Sequence, residues 1–233
     1  CVNMQIKTIA FEGLDGSGKG TSIRELSELI ECECWETPDR IKQARKMKIK
    51  EQGGETDELE EFMIESYLAE WSEIKQICSN LPRDKVVLID RCWVSNSSVR
   101  SARTGEAPKW LGDFRPDVVF TIRVDENLRR ERILARDGGI DNLNDRERQL
   151  MEDESFRIGV LEAEMELGCI PLRIRERSPP VVAMRALQYL LGSKGFNYLP
   201  RETTPLEEAL RRSKLPPELD RATGSSSTRD EEE

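Results

Sequence analysis

The chain has 233 residues, and its 36 Lys and Arg against 45 Asp and Glu leave a net charge of −9. That length supports one globular core with appendages, since domains run to roughly 100–200 residues. With 37% hydrophobic residues and a mean hydropathy of −0.61, it offers no apolar run of about 18 residues, which excludes a membrane span on the sequence pattern. The acidic balance lacks the electrostatics that draw a protein onto duplex nucleic acid, so a small metabolite is the expected partner. There are no histidines, which removes every imidazole-based triad, HExxH zinc site and histidine general base. The six cysteines are scattered and lack paired CxxC spacing, so reduced thiols are expected, with neither a disulfide framework nor a zinc site.

Gln5–Phe11 is a short β-prone run that stops at Glu12-Gly13, and Thr21–Ile30 places Ile23, Leu26, Leu29 and Ile30 at helical spacing. Glu33–Thr37 reads as a second strand, with a turn at Pro38-Asp39-Arg40 and a strongly basic stretch over Ile41–Lys50. Leu59–Ile77 has the spacing of a long amphipathic helix, and Lys85–Asp90 that of a central parallel strand closed by an acid. Ser95–Lys109 is a polar stretch. Pro116–Asp125 repeats the strand pattern, and Glu126–Arg136 reads as a charged helix. After the glycine- and aspartate-rich Asp137–Asp145, one helix is expected over Arg146–Leu167, then a short strand over Cys169–Ile174 and a closing helix over Val181–Leu191. This alternation predicts an α/β fold with a doubly wound parallel sheet. Residues 193–233 read as an acidic, largely disordered tail with one short helix at Leu206–Arg212.

Gly13-Leu-Asp-Gly-Ser-Gly-Lys19-Gly20-Thr21 follows a strand and opens a helix, the setting of a phosphate-binding P-loop. Gly13, Gly16, Ser17, Gly18 and Gly20 lie where backbone N–H groups can converge on phosphate. Lys19 is placed to reach the β- and γ-phosphates as a point charge. The strict motif has Ser or Thr directly after the Lys to ligate Mg²⁺; Gly20 stands there, with Thr21 next. That Gly-Lys-Gly-Thr form resembles the adenylate kinases, where Mg²⁺ is held mostly through water and phosphate oxygens.

Four segments together resemble the thymidylate kinase family, over roughly residues 5–191: Phe11–Thr21 its P-loop, Asp90-Arg91-Cys92 with Ser95 its Asp-Arg-Tyr-x-x-Ser motif, Arg115–Val119 its Lys-Pro-Asp strand entry, and Glu154-Ser-Phe156 the end of its lid. The resemblance implies a three-layer α/β/α P-loop kinase fold over 1–192 with a mobile lid at about 136–153, ATP and Mg²⁺, and a nucleoside monophosphate acceptor. It implies that Arg91 and Arg40 hold the acceptor's phosphate, that Asp90 organises the Mg²⁺ water, and that Asp15 meets the acceptor sugar. Gly16 stands where some members carry a P-loop Arg, so a lid arginine is expected to reach the transferred phosphate. Arg136 comes first and Arg146 second, with Arg132 and Arg148 nearby.

Thymidylate kinases carry an aromatic and an Arg one turn apart on the long helix; here Phe62–Trp71 holds no Arg, leaving Phe62 or Tyr67 as the residue to stack on a base. Trp93 and Trp-Ser-Glu-Ile74 look more like the UMP/CMP kinases of the same family. The expected reaction is dTMP to dTDP, with UMP, CMP or dUMP as alternative acceptors and a catalytically weakened nucleotide-binding regulator as the rival from another class. The resemblance also implies a homodimer. A cytoplasmic location is expected, with the mitochondrion as the alternative because the sequence opens at Cys1 and its N-terminus reads as incomplete.

Overall fold

In a computed structural model that describes residues 5–52, 56–143, 145–174 and 180–193, five strands form one all-parallel sheet in the order β2-β3-β1-β4-β5. They are β1 (Thr8–Glu12), β2 (Cys32–Glu36), β3 (Val86–Asp90), β4 (Val118–Val124) and β5 (Ile170–Ile174). The central strand β1 is buried along its whole length, which is why it reads as a continuous apolar run. Its side chains alternate between two cores. Ile9 and Phe11 face helices α1 (Lys19–Leu29) and α8 (Pro180–Leu191), while Ala10 faces α3 (Asp57–Asn80) with Met63, Tyr67, Trp71 and Ile74. The doubly wound arrangement matches the expectation, and the expected tail with its helix at Leu206–Arg212 lies outside the described residues.

The Pro-Asp strand entry has a structural reason. Asp117 Oδ2 accepts from the backbone N–H groups of Lys7 and Thr8 at 2.8 Å and from Thr8 Oγ1, which in turn accepts from the Asp117 backbone N–H at 2.9 Å. One carboxylate therefore sets the register between β1 and β4 at the end opposite the P-loop.

Two stretches that carried no expected element are helical, and one expected helix is divided. The basic stretch is a helix, α2 (Asp39–Gln52), which starts at the expected turn. The polar stretch after Cys92 is also helical, α4 (Val94–Thr104), despite its serines. Tertiary packing overrides the low propensity here: a Cβ on Gly159 would lie 3.3 Å from the Ala102 Cβ, so the glycine lets α4 approach its partner closely. That partner belongs to the expected single helix over Arg146–Leu167, which is in fact two, α6 (Asp145–Glu152) and α7 (Glu154–Glu166). Asp153 breaks it, because its extended backbone lets the carboxylate cap α7 by accepting from Phe156 N–H at 2.9 Å. Before these, α5 (Glu126–Asp137) is capped by Asp125 and ends at Gly138, whose φ is 74°.

Glu164 of α7 is 2% exposed, and Thr121 Oγ donates to it. Burial, with the neighbouring Glu12 carboxylate, pushes its carboxyl up to about 7, and the Thr121 bond only partly offsets this. A carboxyl raised above its ordinary 4.5 binds its proton more tightly when folded, so its contribution to stability falls as pH rises from about 4.5 to about 7, by roughly 3 kcal/mol at most. Glu164→Gln is therefore expected to melt higher than the wild type at about pH 8, with the gap closing towards about pH 5. Thermal melts at the two pH values check this; a gap that does not change with pH rules the titration out.

Candidate active site

The P-loop leaves β1 at the point where the winding of the sheet reverses, the usual place for a ligand crevice in open α/β sheets. Two glycines there are sterically required. A Cβ on Gly13, whose φ is 126°, would sit 2.6 Å from the Ile122 carbonyl oxygen. One on Gly16, with φ 80°, would sit 2.8 Å from that of Arg129. Gly18, at φ 91°, caps α1 and turns the chain into it. Gly20 has open space around its Cβ position. Ser17 Oγ is buried without a hydrogen-bond partner, and Thr21 is half-buried in the first turn of α1.

Lys19 is buried, and its ammonium donates to the Gly13 and Leu14 carbonyl oxygens at 2.7 and 3.2 Å. Burial pulls it down to about 8, with repulsion from Arg91 adding to the effect and Asp15, Asp90 and Glu12 opposing it. The loop thus holds its lysine folded back on its own carbonyls.

Arg91 has a φ of 70°, the single positive value at a non-glycine among the described residues. The strain is held by Arg91 N–H donating to Phe11 O at 3.1 Å and by Cys92 N–H donating to Glu12 Oε1 at 2.7 Å. The turn brings the guanidinium over the P-loop, where it pairs with Asp15 and donates to Ser95 Oγ at 3.0 Å and Gly13 O at 3.3 Å. Burial would lower the Arg91 pKa, but Asp15, Glu12 and Asp90 outweigh it and hold the charge. Burial would likewise raise the Asp15 carboxyl, and Arg91, Lys19, Arg146 and Arg136 overrule it, keeping Asp15 well below the usual carboxylate range. Asp90 ends β3 with its Oδ1 buried and unpartnered.

Lid arginines reach the same place. Arg129 is 2% exposed; it donates to the Asp15 carbonyl oxygen of the P-loop at 3.2 Å and to Leu150 O of α6 at 3.1 Å, with Glu126 pairing its charge. Arg132 donates to Gly16 O at 3.4 Å. Arg146 donates to Ser95 O at 3.4 Å and buries its Nε without a partner; burial first, then Arg91, lowers its pKa. Arg136, expected ahead of it, is half-exposed and tied to Asp137 and Glu147, although its charge still acts on Asp15. Arg148 is exposed. Arg40 is exposed in the first turn of α2, apart from these contacts, and Phe62 is half-buried against the α3 core. Tyr67 is a buried core residue with its ring edge-on to Trp93 at 5.4 Å.

Residue-by-residue reading missed Glu12, Arg129 and Arg45. An acid ending a fully apolar strand was the available signal for Glu12. Nothing local marked Arg129 among its neighbouring arginines. The arrangement gathers cations around a glycine-rich loop at a helix N-terminus, a setting suited to binding and neutralising phosphate.

A family profile described as "Thymidylate kinase" matches residues 11–168. A probable thymidylate kinase of Thermoplasma volcanium is 31% identical over 153 residues, which span 60% of this chain and 78% of the relative. Among solved structures, the thymidylate kinase of Candida albicans superposes with a TM-score of 0.56 at 14% identity, covering 84% of this chain and 98% of its own, a likeness of fold. The profile spans P-loop, Asp-Arg turn and lid together, and with the archaeal relative it establishes that the chain belongs to the thymidylate kinase family of nucleoside monophosphate kinases.

Proposed function

We propose that the protein transfers the γ-phosphoryl group of ATP to a pyrimidine nucleoside monophosphate, releasing ADP and the nucleoside diphosphate. The observation that carries this reading is the junction of Lys19, Asp15 and Arg91 at one P-loop. An acceptor phosphate oxygen bonds to the γ-phosphorus as the β–γ bridging bond breaks, and that bond's electron pair leaves on ADP. Such a reaction asks for position and neutralising charge more than for proton transfer, so a chain without histidine is equipped for it.

In this reading Gly13, Gly16, Ser17, Gly18, Gly20 and Thr21 form the ATP cradle, and Lys19 swings from its carbonyl contacts to the β- and γ-phosphates. Arg91 exchanges Asp15 for the acceptor's phosphate, a bidentate partner for its fork. Asp15 is then released towards the acceptor sugar, and Arg40 is the second phosphate ligand once its helix moves. Closure of the segment at about 136–153 turns on Gly138 and Gly139, whose φ values are 74° and 136°, and carries Arg136 and Arg146 inward. Of the two, half-buried Arg146, whose Nε is buried without a partner, is the better placed to meet the transferred phosphate.

The unpartnered, buried Asp90 oxygen and the half-buried Thr21 hydroxyl suit Mg²⁺, which would neutralise developing phosphate charge. Among the described residues no group of three His, Cys, Asp or Glu side chains gathers to hold a metal, in keeping with an ion bound largely by water and phosphate. The archaeal relative's name brings dTMP as acceptor. The absence of Arg from α3 supports the second reading, UMP or CMP. A homodimer in the cytoplasm completes the proposal, with static light scattering as the check on assembly. Among the described residues no helix is long and apolar enough to cross a membrane.

Lys19→Ala is expected to lower kcat by about 10²–10³-fold or more with little change in Tm, as read by coupled ADP release; unchanged turnover defeats the P-loop assignment. Arg91→Ala is expected to raise the acceptor KM strongly while leaving the ATP KM near the wild-type value, and an effect on thermal stability alone removes the phosphate-ligand role. Phosphate charge raises the Lys19 pKa from its free value of about 8, so ATP binding is expected to take up a proton at about pH 9 and to weaken as pH rises through 8. Calorimetry in buffers of differing ionisation enthalpy detects the uptake, which Lys19→Ala should abolish.

A further inference from the structure

A buried ion pair lies between α2 and α3 on the side of the sheet that faces the Arg91 turn. Arg45 Nη2 meets Glu70 Oε2 at 2.7 Å, with the two side chains 10% and 4% exposed. Arg45 Nε donates to Ser66 Oγ at 2.8 Å, and the guanidinium lies 3.8 Å from the centroid of the Tyr67 ring. The fork is therefore fixed on three sides, and Nη1 lies outside these hydrogen bonds. Glu70 Oε1 is buried and has no partner.

That loose end is costly. A desolvated carboxylate oxygen without a donor sacrifices the hydrogen bonds that water gave it, and a buried ion pair by itself rarely repays its own desolvation. Such a cost persists where something else supplies the missing donor. The cluster adjoins the Arg91 turn through Tyr67, whose ring meets that of Trp93 edge-on at 5.4 Å, two residues beyond Arg91. Tyr67 cannot offer its face to a base on the side that Arg45 covers.

We infer that Glu70 and Arg45 read the base of the acceptor and that the base is cytosine, so that CMP or dCMP is the preferred substrate; the inference rests on the kinase reading above. The Nη2–Oε2 contact leaves an acceptor, Glu70 Oε1, and a donor, Arg45 Nη1, each on the same planar group as its bonded partner. Cytosine presents a matching edge: its N4 amine donates to the carboxylate, and its N3 and O2, both acceptors, follow on the guanidinium side. Thymine and uracil place a carbonyl on each side of N3–H, so pairing that N–H with Glu70 turns one carbonyl away from Arg45 and against the carboxylate's negative charge. Adenine matches the first two positions and lacks the third. The cation missing from α3 is thus supplied by α2, and the expected acceptor moves from dTMP to a cytidine nucleotide.

The test is calorimetric binding of CMP, dCMP, UMP, dTMP and AMP to the full chain without ATP, followed by coupled turnover with each. CMP or dCMP is expected to bind about tenfold or more tightly than the others. Glu70→Gln, whose amide both donates and accepts, should shrink that margin to about threefold or less while ATP affinity holds. If that variant does not fold, Arg45→Lys is read in its place; it keeps the charge and loses the planar fork, with the same loss expected. A wild-type ranking led by UMP, dTMP or AMP overturns the base assignment and leaves the kinase reading standing wherever those nucleotides turn over. Equal binding of all five overturns it too, making the ion pair structural only. Selective cytidylate binding with no turnover of any acceptor supports the base assignment and sinks the kinase reading, leaving a nucleotide-binding regulator.

Discussion

The buried carboxylate of Glu12 is the constraint on which the site depends. It ends the central strand at 0% exposure and accepts from Cys92 N–H and Ser95 Oγ, while the Arg91 guanidinium lies 4.0 Å away. A buried anion left without these donors would cost several kcal/mol. The turn after β3 therefore cannot relax without exposing or stranding it. The strained φ of Arg91 persists because this network over-determines it, and the strain places a cation over the P-loop before any ligand arrives.

From that anchor the charges balance in layers. Asp15 and Arg91 satisfy each other and Lys19 is satisfied by loop carbonyls; under the proposed reaction, phosphate would offer each cation a stronger partner. The resting contacts keep the cations desolvated yet compensated, so little reorganisation is needed when a polyphosphate replaces them. Arg129 extends the same logic to the lid. One guanidinium holds backbone carbonyls of both the P-loop and α6, which ties the two segments together.

The pair proposed to read the base is organised differently. Its polar groups come from two helices, and only packing of α2 on α3 brings Arg45 beside Glu70. Because the pair leaves one carboxylate oxygen unsatisfied, it is complementary to a donor and would impose an electrostatic demand on an incoming base. Selectivity of this kind comes from the cost of burying mismatched polar groups more than from shape.

Much of the architecture was legible in the chain. The strands at 8–12, 86–90 and 118–124 announce themselves as apolar runs because both of their faces are buried. The P-loop is legible because tight turns and close backbone approach tolerate only glycine at Gly13 and Gly16. Helix α4 was hidden, since serines give no periodic apolar signal and its stability comes from contact with α7. The break at Asp153 was hidden as well, because a capping aspartate and a surface aspartate look alike until the backbone is seen. Lys19 could be named from the local pattern, and Arg91 and Asp15 from the family resemblance, while the partial burial of Arg146, the tethering of Arg136 and the contacts of Glu12 and Arg129 could not. The sequence by itself determined the sheet, the loop and the phosphate chemistry, because these follow from backbone requirements that act over a few residues. Only the tertiary structure decided which charged side chains meet, because Arg45 and Glu70, or Arg129 and Asp15, are far apart along the chain and are brought together by packing.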